Sequence, residues 1–136
     1  MKWGEQTIDR LYFIGIGGIG MSGLARYAKQ IGLDVAGYDK TRTALTHELG
    51  QEGISIGFED STDHFNHWFE PAAHKSTGIV HTPAVPSSHS LFERVSALGL
   101  PVLKRSEMLG AIARRFETFA VAGTHGKTTT TAMLTH

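Results

Sequence analysis

The sequence predicts an α/β protein, a mostly parallel sheet flanked by helices, followed at the carboxyl end by the first strand and phosphate loop of a second unit. Three observations carry this expectation. The apolar run Leu11-Tyr12-Phe13-Ile14 stops in Gly15-Ile16-Gly17-Gly18-Ile19-Gly20 and resumes with helical spacing, the pattern of a buried strand, a tight turn and the first turn of a helix. Strand-like and helix-like segments then alternate as far as Arg115, which calls for parallel strands joined by right-handed crossovers. Finally, the apolar run Phe119 to Ala122 leads into a second glycine-rich loop, Gly123-Thr124-His125-Gly126-Lys127-Thr128-Thr129.

Taken in order, residues 1–9 are polar and read as a lead-in, and the first strand spans roughly Arg10 to Ile16. In the helix after the glycines, Leu24, Ala25, Ala28 and Ile31 share one face, and Arg26, Lys29 and Gln30 the other. Burial of Leu24 and Ile31 is expected to contribute about 1.5–3 kcal/mol each, and Gly32 ends the helix. Asp34 to Asp39 reads as the second strand. Lys40 to Thr43 form a polar loop that caps a helix from Ala44 to Gln51; Gly53 closes it before a third strand, Ile54 to Phe58. Phe65, Trp68 and Phe69, behind the capping candidates Ser61 and Thr62, predict a short amphipathic helix that ends before Pro71. Asp60, Asp63, His64, His67 and His74 allow a metal site, but a solvated polar face over an aromatic stripe is the simpler reading.

A fourth strand, Gly78 to Thr82, runs into Pro83-Ala84-Val85-Pro86-Ser87-Ser88. Two prolines in four residues permit neither a helix nor a central strand, so this is a rigid loop. Ser88 or Ser90 caps a helix through Leu91, Phe92, Val95 and Leu98 that Gly99 ends, and Leu100 to Lys104 makes a fifth strand. Ser106 caps a last helix carrying Met108, Leu109, Ile112 and Ala113, with Arg114 and Arg115 set against the negative end of its dipole.

The bulk properties narrow the function. Thirteen basic residues balance thirteen acidic ones, so no broad positive field attracts nucleic acid or an anionic membrane. Cysteine is absent, which removes disulfides and thiolate chemistry. No apolar run approaches the roughly 20 residues that span a bilayer, and residues 1–6 lack the apolar core of a signal peptide. A cytoplasmic protein with neither nucleic-acid nor membrane partners is expected.

Gly15, Gly17 and Gly20 fit the G-x-G-x-x-G spacing of a turn that approaches a pyrophosphate, and the helix behind them offers N–H groups and a positive dipole end. Asp39 lies nineteen residues beyond Gly20, where such folds hold a ribose hydroxyl or a base edge. Thr82, Pro83 and Ala84 leave another strand at the sheet edge where ligands sit. A purely structural glycine turn, or the nicotinamide-dinucleotide site of an oxidoreductase, would use the same residues. The second loop has its own chemistry: glycine N–H groups for phosphates, Lys127 for the terminal charge, and the Thr128 hydroxyl for Mg²⁺. It departs from the common phosphate loop in having Val121, not glycine, five residues before Gly126. An oxidoreductase leaves this loop idle.

Together the two loops carry a resemblance that covers the whole chain. The segment from Ala122 to Thr130 is similar to the A-G-T-H-G-K-T-T-T loop of the Mur ligases, and Gly15 to Ala25 resembles the opening of the family members that join L-alanine to UDP-N-acetylmuramate. The resemblance implies a Rossmann-like UDP-sugar domain over residues 1–116 and, over 117–136, the start of a central ATP-binding domain whose remainder, with a third domain, lies outside this chain. It implies ATP and Mg²⁺ as cofactors, and UDP-N-acetylmuramate and L-alanine as substrates. In the family's reaction the muramate carboxylate is activated as an acyl phosphate, and the alanine amine displaces phosphate, a step of peptidoglycan precursor synthesis. By the same resemblance, Gly15, Gly17, Gly18, Ile19, Gly20, Met21 and Ser22 approach the pyrophosphate through backbone N–H groups, Asp39 stands at the uridine end, and Thr82, Pro83, Ala84 and Val85 lie beside the nucleotide. Gly123, Thr124, His125, Gly126, Lys127, Thr128 and Thr129 surround ATP. Thr128 holds Mg²⁺, and Lys127 and His125 act at the transferred phosphate. This chain alone is then expected to bind the UDP-sugar weakly and to lack ligase activity. The family member that uses a preformed tripeptide ranks second, and a non-catalytic UDP-sugar-binding module is a further alternative.

Overall fold

The computed structural model describes residues 1–3, 5–69 and 76–135. The chain opens with an antiparallel hairpin of β1 (Lys2–Trp3) and β2 (Gln6–Thr7), where the sequence suggested only a lead-in. Strands of two residues have no periodicity to read. The hairpin ends on Ile8, which is wholly buried and whose N–H donates to the Met1 carbonyl at 2.7 Å.

Strands β3 (Arg10–Ile14), β4 (Asp34–Tyr38), β5 (Ser55–Gly57), β6 (Thr77–His81) and β7 (Val102–Lys104) form one parallel sheet, in the order β5-β4-β3-β6-β7. The connecting helices are α1 (Ile19–Gln30), α2 (Ala44–Gln51), α3 (Asp63–Phe69), α4 (Ser90–Ala97) and α5 (Arg105–Ala113); α6 (Lys127–Leu134) follows apart. The period-two pleat splits the apolar residues between two cores. Leu11, Phe13, Val35 and Val80 pack with Leu24, Ala25, Ala28, Leu49 and Met108. On the opposite face Tyr12, Ile14, Ala36, Tyr38 and Ile79 pack with Phe65, Phe69, Leu91 and Val95. Because β3 and β6 are neighbours whose onward connections run to opposite sides, the order reverses between them, and a crevice opens at their carboxyl ends.

Several sequence expectations shift. Ile31 is the residue that caps the end of α1, and it stands 40% exposed, while Met21 takes the buried place at the start of the helix. His89, not Ser88 or Ser90, caps α4: its Nδ1 accepts the Leu91 N–H at 3.2 Å. Helix α5 starts one residue before Ser106, and the Glu107 carboxylate takes the Lys104 N–H at 2.8 Å. Leu109 is exposed, and Arg114 and Arg115 lie past the last helical residue. Phe119 to Ala122 form no strand; their side chains are exposed apart from half-buried Val121, and among the described residues no neighbouring strand offers a ladder. Pro71 and His74 lie outside the described residues. Among those described, no three His, Cys, Asp or Glu groups are placed to hold a metal. His64 instead lies between the Tyr12 hydroxyl, 3.0 Å from Nδ1, and Ser55 Oγ, 2.9 Å from Nε2.

Candidate functional site

The residue that follows each of the three central strands turns toward one cleft. Gly15 leaves β3 with φ of +87°, a conformation that glycine adopts without strain, and its N–H donates to the Tyr38 carbonyl at 2.8 Å. A side chain there would meet Thr82 Cγ2 at 2.5 Å, so the turn after β3 and the loop after β6 are in direct apposition. Gly17 donates its N–H to Asp39 Oδ2 at 2.7 Å, and Asp39 Oδ1 accepts the Thr41 N–H at 2.9 Å. Asp39 thus ties the glycine turn to the loop after β4, and it lines the cleft.

The cleft has a volume of about 480 Å³, within the range of about 300–1,000 Å³ usual for small-molecule sites. Gly15, Gly17, Gly18, Gly20 and Met21 form one wall and Thr82, Pro83 and Ala84 another, with Asp39 between them. Ile19 and Ser22 do not line it. The Ile19 side chain is 89% exposed, and the buried Ser22 hydroxyl donates to the Ile19 carbonyl at 2.9 Å. The N–H groups of Met21 and Ser22 are already bonded to the Gly18 carbonyl, at 3.0 and 2.8 Å. Among the described residues, the Ile19 and Gly20 N–H groups have no protein acceptor. These two donors, at the positive end of a twelve-residue helix, are what the turn offers an anion.

The cleft also takes in Tyr38, Lys40, Val85, Pro86, His89 and Arg105. Of these, Tyr38, Lys40, His89 and Arg105 went unread as site residues in the sequence. One signal was available: Arg105 immediately follows β7, just as Gly15 and Thr82 follow β3 and β6. The Tyr38 ring lies 4.5 Å from the His89 imidazole, and burial, then the negative charges of Asp60 and Asp39, push its phenol above the usual range.

The second loop is a separate feature. Gly123 and Gly126 take φ of +154° and +76°, and α6 starts on Lys127 with no side-chain cap over its first N–H groups. Lys127 Nζ reaches back to the Gly123 carbonyl at 2.6 Å and the Thr124 carbonyl at 3.5 Å. An ammonium drawn into a glycine loop at a helix N-terminus fits a polyphosphate, through both the cation and the donors. None of Gly123 to Thr129 lines the first cleft.

A parallel sheet with a glycine turn at its switch point and an acidic residue after the neighbouring strand defines a Rossmann-like α/β fold. The model of the Mur ligase family, catalytic domain, matches residues 10–117, and the chain belongs to that family. The UDP-N-acetylmuramate–L-alanine ligase of Flavobacterium johnsoniae is 50% identical over 131 residues, 95% of this chain and 28% of the relative. That of Phocaeicola vulgatus is 45% identical over 130 residues, 96% of this chain and 28% of the relative. Among solved structures, the UDP-N-acetylmuramate-alanine ligase MurC of Thermotoga maritima has a TM-score of 0.78 at 36% identity, over 93% of this chain and 28% of that one. The UDP-N-acetylmuramate:L-alanyl-gamma-D-glutamyl-meso-diaminopimelate ligase of Neisseria meningitides has a TM-score of 0.80 at 29% identity, over 94% of this chain and 38% of that one. The chain therefore spans about 28% of the length of the curated relatives it matches.

Proposed function

We propose that this chain is the nucleotide-sugar-binding portion of an ATP-dependent ligase that joins L-alanine to UDP-N-acetylmuramate in the cytoplasm, as a step of peptidoglycan precursor synthesis. One observation carries the reading: two glycine-rich loops of different build, a glycine turn lining the cleft and a lysine-bearing loop, stand in one chain. Near 50% identity to alanine-adding relatives runs across both. Residues 1–116 are read as the UDP-sugar domain and 117–136 as the start of the ATP-binding domain. In the cleft the free N–H of Gly20 binds the diphosphate, Asp39 takes a hydroxyl of the uridine ribose, and Thr82, Pro83 and Ala84 bound the nucleotide. Gly123 to Thr129 would hold the ATP phosphates, Lys127 by charge and Thr128 through a Mg²⁺ ion, with His125 beside the transferred group. When bound, ATP supplies the phosphoryl group that activates a carboxylate toward an amine.

Isothermal titration of this chain with UDP-N-acetylmuramate, with NAD as the matched control, tests the reading. Heat from the UDP-sugar and none from NAD is expected, and the reverse result would assign the cleft to a dinucleotide. With the remainder of the protein attached, phosphate release from ATP should depend on L-alanine; dependence on a preformed tripeptide instead would favour the activity for which the Neisseria ligase is named.

A further inference from the structure

We propose that Arg105 is the cationic ligand of the diphosphate in the first cleft, the positive side chain that the glycine turn itself lacks. This rests on the reading of the cleft as a nucleoside-diphosphate site and adds a residue to it from a different strand end. Arg105 is the first residue of α5, directly after β7, and its side chain reaches back over the N-terminus of α1. A β-carbon on Gly20 would run into its Nη1 and lie 3.4 Å from its Cδ and Cζ. The flexible end of the arginine thus lies directly over Gly20.

The guanidinium is uncommitted. Among the described residues it has neither a hydrogen-bond nor an ion-pair partner. The nearby carboxylates are engaged elsewhere, Glu107 with the Lys104 N–H and Asp39 with the N–H groups of Gly17 and Thr41. An unpaired arginine over Gly20, whose N–H is free, gives the cleft a cation and a backbone donor side by side, suited to a diphosphate. His89, which lines the same cleft, is turned to Asp60. His89 has only 7% of its side chain exposed, and its Nε2 has no aligned hydrogen bond, although Asp60 Oδ1 lies 3.1 Å away. A cleft lined by an unpaired arginine and glycine backbone suits a polar, anionic occupant.

Titrating the 136-residue chain and its Arg105→Gln and Arg105→Lys variants with UDP, uridine and inorganic pyrophosphate tests the assignment. Arg105→Gln should weaken UDP and pyrophosphate by about tenfold or more, the scale of a charge-assisted hydrogen bond, and leave uridine unchanged; Arg105→Lys should recover part of the loss. A smaller loss for UDP, or an equal loss for uridine, overturns the proposal, the second result marking Arg105 as merely structural. Pyrophosphate binding that depends on Arg105, with no response to either uridine compound, would uphold the arginine and sink the uridine-sugar reading. Absence of both UDP and pyrophosphate binding by the unaltered chain overturns the Arg105 assignment itself.

Discussion

A β-carbon on Gly17 would stand 2.8 Å from both Asp39 Oδ2 and Thr46 Cγ2, closer than real side chains pack. The glycine is therefore required by the loop that clasps it as much as by any ligand. Gly17→Val should break the Gly17 to Asp39 bond, cost about 1–3 kcal/mol by overpacking, and abolish UDP-sugar binding in a titration; unchanged affinity would remove the turn from the site. Gly37 gives a control away from the chemistry. Its β-carbon would meet the Phe13 carbonyl at 2.6 Å and Ile16 Cδ1 at 2.8 Å, inside the sheet. Gly37→Ala is expected to lower the urea midpoint by the equivalent of about 1–3 kcal/mol with the slope unchanged, because a backbone carbonyl cannot swing aside as a side chain can.

At the scale of elements, α3 is fastened to the sheet by His64 as well as by its aromatic face. The imidazole bridges Tyr12 on β3 and Ser55 on β5, while Phe65 meets the Tyr12 ring edge-on at 4.9 Å. Burial, and then the neighbouring charge of His67, holds the His64 pKa below the usual histidine value. The sign follows from proton counting: below about pH 6.5 the unfolded chain takes up a proton that the folded one resists, so stability falls as pH drops through that value. Above it both forms are neutral and the contribution is complete. The gap in Tm between the natural chain and His64→Gln should narrow from about pH 7.5 to about pH 5. A gap independent of pH would show that the imidazole acts by packing alone.

For the whole molecule, the two loops stand apart. No residue from Gly123 to Thr129 lines the first cleft, and of residues 117–135 only Val121 is so much as half-buried. Lys127→Ala should leave UDP-sugar affinity intact and, with the remaining domains attached, suppress turnover. A chain ending at Phe116 should melt with the same Tm as this one. A loss of UDP-sugar binding in Lys127→Ala would contradict the division into two sites, and a lowered Tm on shortening would contradict the domain boundary.

What the sequence determined by itself was local: the alternation that makes a parallel sheet, the glycine turn after Ile14, the helix from Ala44 to Gln51, and the two loops with Asp39 between them. Glycine spacing and apolar period act over a few residues, so a linear chain displays them. What only the tertiary structure decided was non-local. Strand order brings residues 15, 39, 82 and 105 to one edge, and that order is a result of packing across two cores that no short window contains. It decided that Asp39 clasps the turn and that Arg105 passes over Gly20. It also decided that His89 caps α4 and that Ile31 and Leu109 face outward. Phe119 to Ala122 mark the limit: their composition favours a strand, but a strand is completed by hydrogen bonds to a neighbour, and the sheet ends at β7.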